Sequence, residues 1–386
     1  MVLLTHAESQ AGIVSMCRVL FPGNRAATQV QDEAVVADVR TANTSTGHST
    51  VTLTESQIRE NVGRSKAYLD QRNKEWSERN ECLCCHTTLP YMMSRGLDAQ
   101  SKDLFDNFRR MAAEKVENTS AEPWYTEDAQ DRNSKPTEAV VNALTLLNYD
   151  IAKGSPLSAV TLKSIDRILE NLDADGHIHW LDFNLEPFES KNGELWGNSM
   201  AVLAIEMAVK HSSYTPHAES YAKLKNYLQH QTAQLNSQEM SVLLWANSQN
   251  SGASRAGTVL TAEQKNNFAA RILSEQNADG SWNQKKFIGR GADEPQAYVT
   301  AMGLIALVSA QKGTTPQAHK AAEWLMAKQT TVQALNFNQQ YTFWQSRSMN
   351  RPSVTRNNRF ASDFATSYAS IALDMYRSEM ARRPGR

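Results

Sequence analysis

Five stretches of this 386-residue chain, 138–147, 197–205, 240–246, 297–307 and 364–373, are dense in Ala, Leu and Val and carry no charged stripe. Small residues recur in them, which permits close packing, so they predict helices buried on all sides. Four other stretches, 157–171, 218–231, 262–276 and 316–328, read as amphipathic, charged helices. The two kinds alternate, and strand signals are weak throughout. Inner and outer helices in strict alternation predict a helical array closed into a ring, with the unpaired apolar faces buried at its centre.

Two segments repeat. Arg167-Ile-Leu-Glu-Asn-Leu-Asp-Ala-Asp-Gly-His-Ile-His-Trp180 can be laid against Arg271-Ile-Leu-Ser-Glu-Gln-Asn-Ala-Asp-Gly-Ser-Trp282. In each, a helix end runs into Ala-Asp-Gly with Trp just after. Gly176 and Gly280 suit a left-handed cap, the Asp supplies turn chemistry, and Trp180 and Trp282 can fold back over the next helix. This pattern resembles the Gln-Trp repeat of the prenyltransferase and squalene-cyclase superfamily, across roughly residues 135–380. The resemblance implies an all-α fold, an α/α toroid around an apolar cavity. The chain is also similar to bacterial squalene-cyclase-like proteins that carry Cys-x-x-Cys-His near the first helix, through the segments 180–189 and 360–368.

Before the repeats, Thr54-Glu-Ser-Gln57 has the spacing of a capping box. It predicts a helix through Ile58, Val62, Ala67 and Tyr68 that runs up to the cysteines. Residues 1–53 read as a flexible or accessory arm, with a polar tract at 41–50, and 54–386 as one toroid domain. Residues 1–7 lack a basic region and an apolar core, so no intact signal peptide is predicted.

Charge narrows the function. Forty Lys and Arg stand against forty-one Asp and Glu, a net charge of -1. Without a cationic surplus to displace phosphate counterions, nucleic-acid binding is not expected. Mean hydropathy is -0.52, and no apolar run approaches the roughly 20 residues that span a bilayer.

The four cysteines are too few for a disulfide scaffold, but Cys82, Cys84 and Cys85 fall together ahead of His86. Cys82-x-x-Cys85-His86 has the spacing of c-type haem attachment, two thiols for the vinyl groups and an imidazole for the iron. Two other readings stand beside it: a soft ligand set for Zn²⁺ that includes Cys84, and structural or redox thiols with no cofactor. No Cys follows Cys85, which argues against the zinc site of a protein prenyltransferase.

The second constellation is acidic. Asp182, Glu186 and Glu189 follow Trp180 in a loop that enters the buried helix at Gly197. The resemblance to class II terpene cyclases implies a protonated Asp in Asp-x-Asp-Asp as the initiating acid, and here Gly176 stands where the last Asp should be. Asp173 and Asp175 therefore read as turn residues, and Glu186-Pro-Phe-Glu189, stiffened and dried by Pro187 and Phe188, as a substitute. Asp293, Glu294 and Asp363 read as carboxylates at inner-helix starts, where the helix dipole favours them. Arg290, Arg347, Arg351, Arg356 and Arg359 could meet an anion at a rim, and Trp124, Tyr125, Trp245, Tyr298, Tyr341 and Trp344 could line the cavity.

The reading that follows is an enzyme with a hydrophobic, isoprenoid-like substrate in a central cavity. A haem or metal centre at Cys82, Cys85 and His86 would serve redox chemistry with a redox partner, and Asp182, Glu186 and Glu189 would be the catalytic carboxylates. One alternative is a redox-independent terpenoid cyclase or isomerase working through carboxylates alone. Another is a non-catalytic haem or ligand-binding module. Attached haem would imply a periplasmic or secreted protein; without it the chain reads as cytoplasmic.

Overall fold

The computed structural model describes residues 53–118, 120–124, 131–250, 258–333 and 340–382. Residues 1–52 of the predicted arm, Cys17 and Tyr125 lie outside them. Thr54 caps the first helix, α1 (Glu55–Arg79), through the capping box that its sequence predicts.

Six helices form the inner layer: α2 (Thr88–Ser94), α4 (Asp131–Lys153), α6 (Glu194–His211), α8 (Ser237–Gln249), α11 (Ala297–Ser309) and α13 (Thr355–Ala381). Each packs on the next, and α13 returns to α2, so the ring closes. The outer layer is α1, α3 (Lys102–Glu117), α5 (Ala159–Glu170), α7 (Ala218–His230), α9 (Ala262–Ser274) and α12 (Pro316–Ala327). These cover the ring from outside: α5 touches α4 and α6, α9 touches α8 and α11, and α12 touches α11 and α13. A short helix, α10 (Gln284–Ile288), lies in the α9–α11 connection. Ring closure explains why α6, α8 and α11 lack a polar face: neighbours, outer helices and the ring's centre cover every side.

The repeat is a structural unit. Asn277 N–H donates to the Ser281 carbonyl at 2.8 Å, and Asp173 N–H donates to the His177 carbonyl at 2.9 Å, so the two turns superpose from Asp173 on Asn277 to His177 on Ser281. Gly176 and Gly280 take positive φ, 88° and 95°, and a Cβ on either would strike the backbone of Lys223 in α7 or Lys320 in α12. Trp282 donates its indole N–H to the Ile272 carbonyl in α9 and its backbone N–H to Thr300 in α11. Trp344 does the same to Leu325 in α12 and Thr366 in α13. Whereas Trp180 donates to the Phe188 carbonyl instead, the chain thus holds a third Trp junction, sealed as at Trp282. There a hairpin, β1 (Gln329–Gln333) and β2 (Gln340–Trp344), paired antiparallel with Thr331 opposite Thr342, replaces the Ala-Asp-Gly turn.

The expected central cavity is not present among the described residues. Phe188 projects from the 181–190 loop into the ring and meets Trp196, Tyr298, Phe364 and Tyr368 at centroid distances of 4.4–6.3 Å. All five are buried. Tyr298 is one of these plugging side chains, so it fills the cavity that it was expected to line. Trp344, Trp124 and Trp245 are also buried in packing.

Candidate functional site

Three segments meet at the rim above this aromatic plug. The first is the α1–α2 connection with its cysteines. Trp76 of α1 donates its indole N–H to the Cys82 carbonyl at 2.8 Å, and the Thr88 hydroxyl accepts from Cys84 N–H at 2.7 Å, so the segment is pinned at both ends. The second is the 181–190 loop. It folds back on itself through reciprocal Leu185 and Glu189 backbone bonds. Trp180 donates to the Phe188 carbonyl at 2.7 Å, and Gly193 passes beneath that carbonyl where a Cβ would lie 2.0 Å from its oxygen. The third is the first half of α13, with Phe360, Asp363 and Phe364.

Glu189 and His86 face each other across the junction. Glu189 Oε1 accepts from Cys85 N–H at 3.2 Å, and Oε2 lies 4.0 Å from His86 Nε2. Both side chains are buried. Burial pushes the Glu189 carboxyl up to about 7, moderated by its contacts with Cys85. Burial, aided by Arg356 and Arg72, pushes His86 down to about 3. Near neutral pH the imidazole is therefore uncharged, and the contact is not an ion pair.

Behind His86 runs a chain of polar groups. Its Nδ1 lies 2.9 Å from the Thr87 hydroxyl, which donates to Asp363 Oδ2 at 2.9 Å. Asp363 also accepts from Tyr68 at 2.8 Å and from two nitrogens of Arg72 at 2.9 and 3.1 Å. The one proton of the Thr87 hydroxyl goes to a carboxylate, so the network assigns the imidazole proton to Nδ1 and leaves the Nε2 lone pair facing Glu189. Desolvation disfavours the Arg72 guanidinium, but Asp363, Tyr68 and Glu75 outweigh it and keep the charge firmly on.

The sequence-predicted residues divide. Glu186 and Glu189 come together with His86 on one small cleft with room for about one water molecule, walled by Leu185, Phe188, Asn357, Phe360 and Phe364. Glu186 is held by Arg290 at 2.7 Å and by Asn192. Asp182 does not join them. It is exposed and accepts from Asn184 N–H in its own turn, because Leu181, Phe183 and Leu185 take the inward positions of an alternating segment. Asp363 is not a helix cap; it sits inside α13 as the partner of Arg72. Asp293 and Glu294 remain exposed ahead of α11. Arg72 and Thr87 are site residues that the sequence did not single out. Arg72 lies one helical turn after the apolar-face residue Tyr68, and that spacing was the available signal.

The haem expectation does not survive this packing. Cys82 is disulfide-bonded, so it has no thiol for a thioether. Cys85 is a free thiol buried against Glu189. His86 is packed between Phe360 at 4.1 Å and the edge of Trp76 at 5.1 Å, and its Nε2, the atom an iron would need, faces Glu189 Oε2 at 4.0 Å. Nor do Cys84, Cys85, His86 and Glu189 bring three ligand atoms to one point. Burial and the nearby Glu189 push the Cys84 thiol up to about 12 and raise Cys85 as well, opposite to what a thiolate ligand needs.

No protein-family model and no curated protein matches the chain. Among solved structures, it is similar to the apo type II terpene cyclase MstE from Scytonema, at 13% identity and a TM-score of 0.49, covering 84% of this chain and 100% of that one. The same Scytonema enzyme holding geranylgeranyl dihydroxybenzoate as substrate aligns at 12% identity and 0.48, covering 84% and 99%. An ent-copalyl diphosphate synthase from Streptomyces platensis aligns at 16% and 0.43, covering 79% of this chain and 50% of its own. The toroid described above rests on the helix contacts of this chain and not on these likenesses.

Proposed function

We propose that this chain is a redox-independent terpenoid cyclase or isomerase in which Glu189 is the general acid. The observation that carries the reading is a fully buried carboxyl, protonated up to about pH 7, on the wall of a cleft lined by Phe188, Phe360 and Phe364. An uncharged carboxylic acid in an apolar site can give its proton to an alkene carbon of an isoprenoid unit, leaving a carbocation on the substrate. The aromatic faces stabilise that charge. Attack by a second double bond closes a ring, or loss of a neighbouring proton moves the double bond. In either case the cation loses a proton to the Glu189 carboxylate, directly or by way of the His86 Nε2 lone pair, which passes it on to Glu189 and so restores the acid. Asp363, Thr87 and Arg72 act as positioning residues that hold this tautomer of His86.

Because the ring's centre is filled and the cleft holds little more than a water molecule, the substrate approaches from the rim, and the walls must part to bring an isoprenoid end to Glu189. The disulfide at Cys82 fits an oxidising compartment, periplasmic or secreted.

The test is incubation with prenyl alcohols of increasing length in deuterated water, with products read by mass spectrometry. The expected outcome is a cyclised or isomerised product carrying one solvent deuterium. Glu189→Gln should lower its rate by about 10²–10⁴. Product formation undiminished in Glu189→Gln would overturn the assignment.

A further inference from the structure

The two superposed repeat turns differ in one respect that packing does not require. In the second turn, Asn277 uses its side-chain amide as a brace, donating to Ser281 Oγ at 3.0 Å and to Asn283 Oδ1 at 2.8 Å. Donors and acceptors match, and the turn is complete. The same three positions of the first turn hold Asp173, His177 and His179. The brace has become a carboxylate, which only accepts, and the two positions it braced have become imidazoles.

Asp173 Oδ1 is consumed by the turn itself, accepting from Asp175 N–H at 2.9 Å and His177 N–H at 3.1 Å. Its Oδ2 faces both rings, 3.0 Å from His177 Nδ1 and 3.6 Å from His179 Nε2. His177 Nδ1 is shielded from solvent, yet it makes no hydrogen bond despite that short distance, because the alignment is wrong for one. One ligand atom from each of Asp173, His177 and His179 lies within 4.8 Å of the other two, close enough for the three to share one cation. A tetrahedral ion with bonds of about 2.0–2.1 Å sets its ligand atoms about 3.4 Å apart, between the two observed distances.

The surroundings orient the donors in the same sense. With Nδ1 turned to the cation, the proton of His177 lies on Nε2, which faces Glu194 Oε1 at 3.7 Å. Glu194 is itself held by the Tyr227 hydroxyl at 3.1 Å, and the Tyr227 ring stacks on His177 at 4.8 Å and 19°. A carboxylate behind a ligating imidazole is the usual means of fixing its tautomer and orientation.

We propose that Asp173, His177 and His179 bind one divalent transition-metal ion of the zinc class at the α5–α6 junction, with Glu194 and Tyr227 as orienting residues. Three protein ligands leave a fourth position to water, and His179, the most exposed of the three, leaves that position on the solvent side. The site is separate from the Glu189 cleft and does not depend on the function proposed for it.

The test uses the full chain, stripped with a chelator and titrated with Co²⁺ and then Zn²⁺. One equivalent of Co²⁺ should bind with the visible bands of a four-coordinate nitrogen and oxygen site, and Zn²⁺ should displace it. His177→Gln should weaken binding by about 100-fold. A second variant installs the chemistry of the other turn, Asp173→Asn with His177→Ser and His179→Asn. It should fold without metal, since the same chain already closes one such turn, and bind none. Binding equal in wild type and this triple variant would overturn the proposal. So would thiolate charge-transfer bands in the Co²⁺ spectrum, which would place the metal at Cys84 and Cys85.

Discussion

The junctions at Trp282 and Trp344 and the junctions at Cys84–His86 and Glu189 solve the same geometric problem with opposite materials. Each must carry the chain from an outer helix to an inner one and seal the gap. At Trp282 and Trp344 the seal is an indole on a carbonyl of the outer helix and a backbone N–H on a Thr of the inner one, with Gly303 clearing space for the first ring. At the rim the seal is a carboxylic acid, a neutral imidazole, two thiols and an Arg–Asp pair, all buried except the partly buried Arg72. Indole packing stabilises the ring outright. A buried ion pair roughly cancels its own desolvation, and a buried acid of raised pKa is a net cost at neutral pH. A chain able to close its ring with Trp does not need the second set for stability, and that surplus is the reason to propose chemistry at the rim.

The contrast can be broken from its apolar side first. Trp282→Ala removes a fully buried indole and leaves the Ile272 carbonyl with only the Glu275 N–H. It should cost about 5 kcal/mol, the upper end for such truncations, read as a shift in denaturant midpoint with unchanged slope. A loss under about 1 kcal/mol would mean that the junction is not a seal. Trp344→Ala should fall in the same range, since its two hydrogen bonds match those of Trp282.

Asp363→Asn comes next. It leaves the Arg72 guanidinium buried with only Glu75 as a counter-charge, and should cost about 4 kcal/mol. If the pair is there for the site, Arg72→Met with Asp363→Leu should regain most of that stability while the Glu189-dependent activity stays low, because Thr87 no longer holds His86. Recovery of activity along with stability would make Asp363 a structural residue.

How much of this the chain disclosed depended on whether the cause was local. The inner helices announce themselves, since a helix covered on all sides must be apolar on all sides. The third junction stayed hidden because Thr330-Thr-Val332 and Tyr341-Thr-Phe343, β-branched and aromatic as strands prefer, replaced the turn motif that marked the other two. The burial of Glu189 was legible from Pro187 and Phe188 beside it, and the exposure of Asp182 from Leu181, Phe183 and Leu185, which alternate with it. The haem expectation came from letter spacing alone, which reveals neither the disulfide at Cys82 nor the Glu189 carboxyl that faces His86 Nε2. The Arg72–Asp363 pair joins positions 291 residues apart, and no local pattern encodes a partner at that distance.

The smallest effect sharpens the contrast most, because it comes from one proton. Glu189 has a carboxyl near 4.5 when unfolded and near 7 in the fold. Between those values the native state holds a proton that the unfolded chain releases. Stability from this group is therefore fully present below about pH 4.5 and is lost as pH rises through 7, by about 3 kcal/mol. His86 acts in the opposite sense. Its folded value, near 3, lies below the usual 6.5, so stability falls as pH drops from 6.5 toward 3. Over pH 4.5–6.5 the two slopes oppose each other in the wild type. Glu239, also pushed up to about 7 by burial, is unchanged by a substitution at Glu189 and cancels from the difference. The stability of Glu189→Gln minus that of wild type should therefore climb by about 3 kcal/mol from pH 4.5 to 7 and lie flat on either side. Denaturant melts at half-unit pH steps would trace it. A flat difference would mean that the Glu189 carboxyl is solvated, and the acid proposed at the rim would then be an ordinary carboxylate.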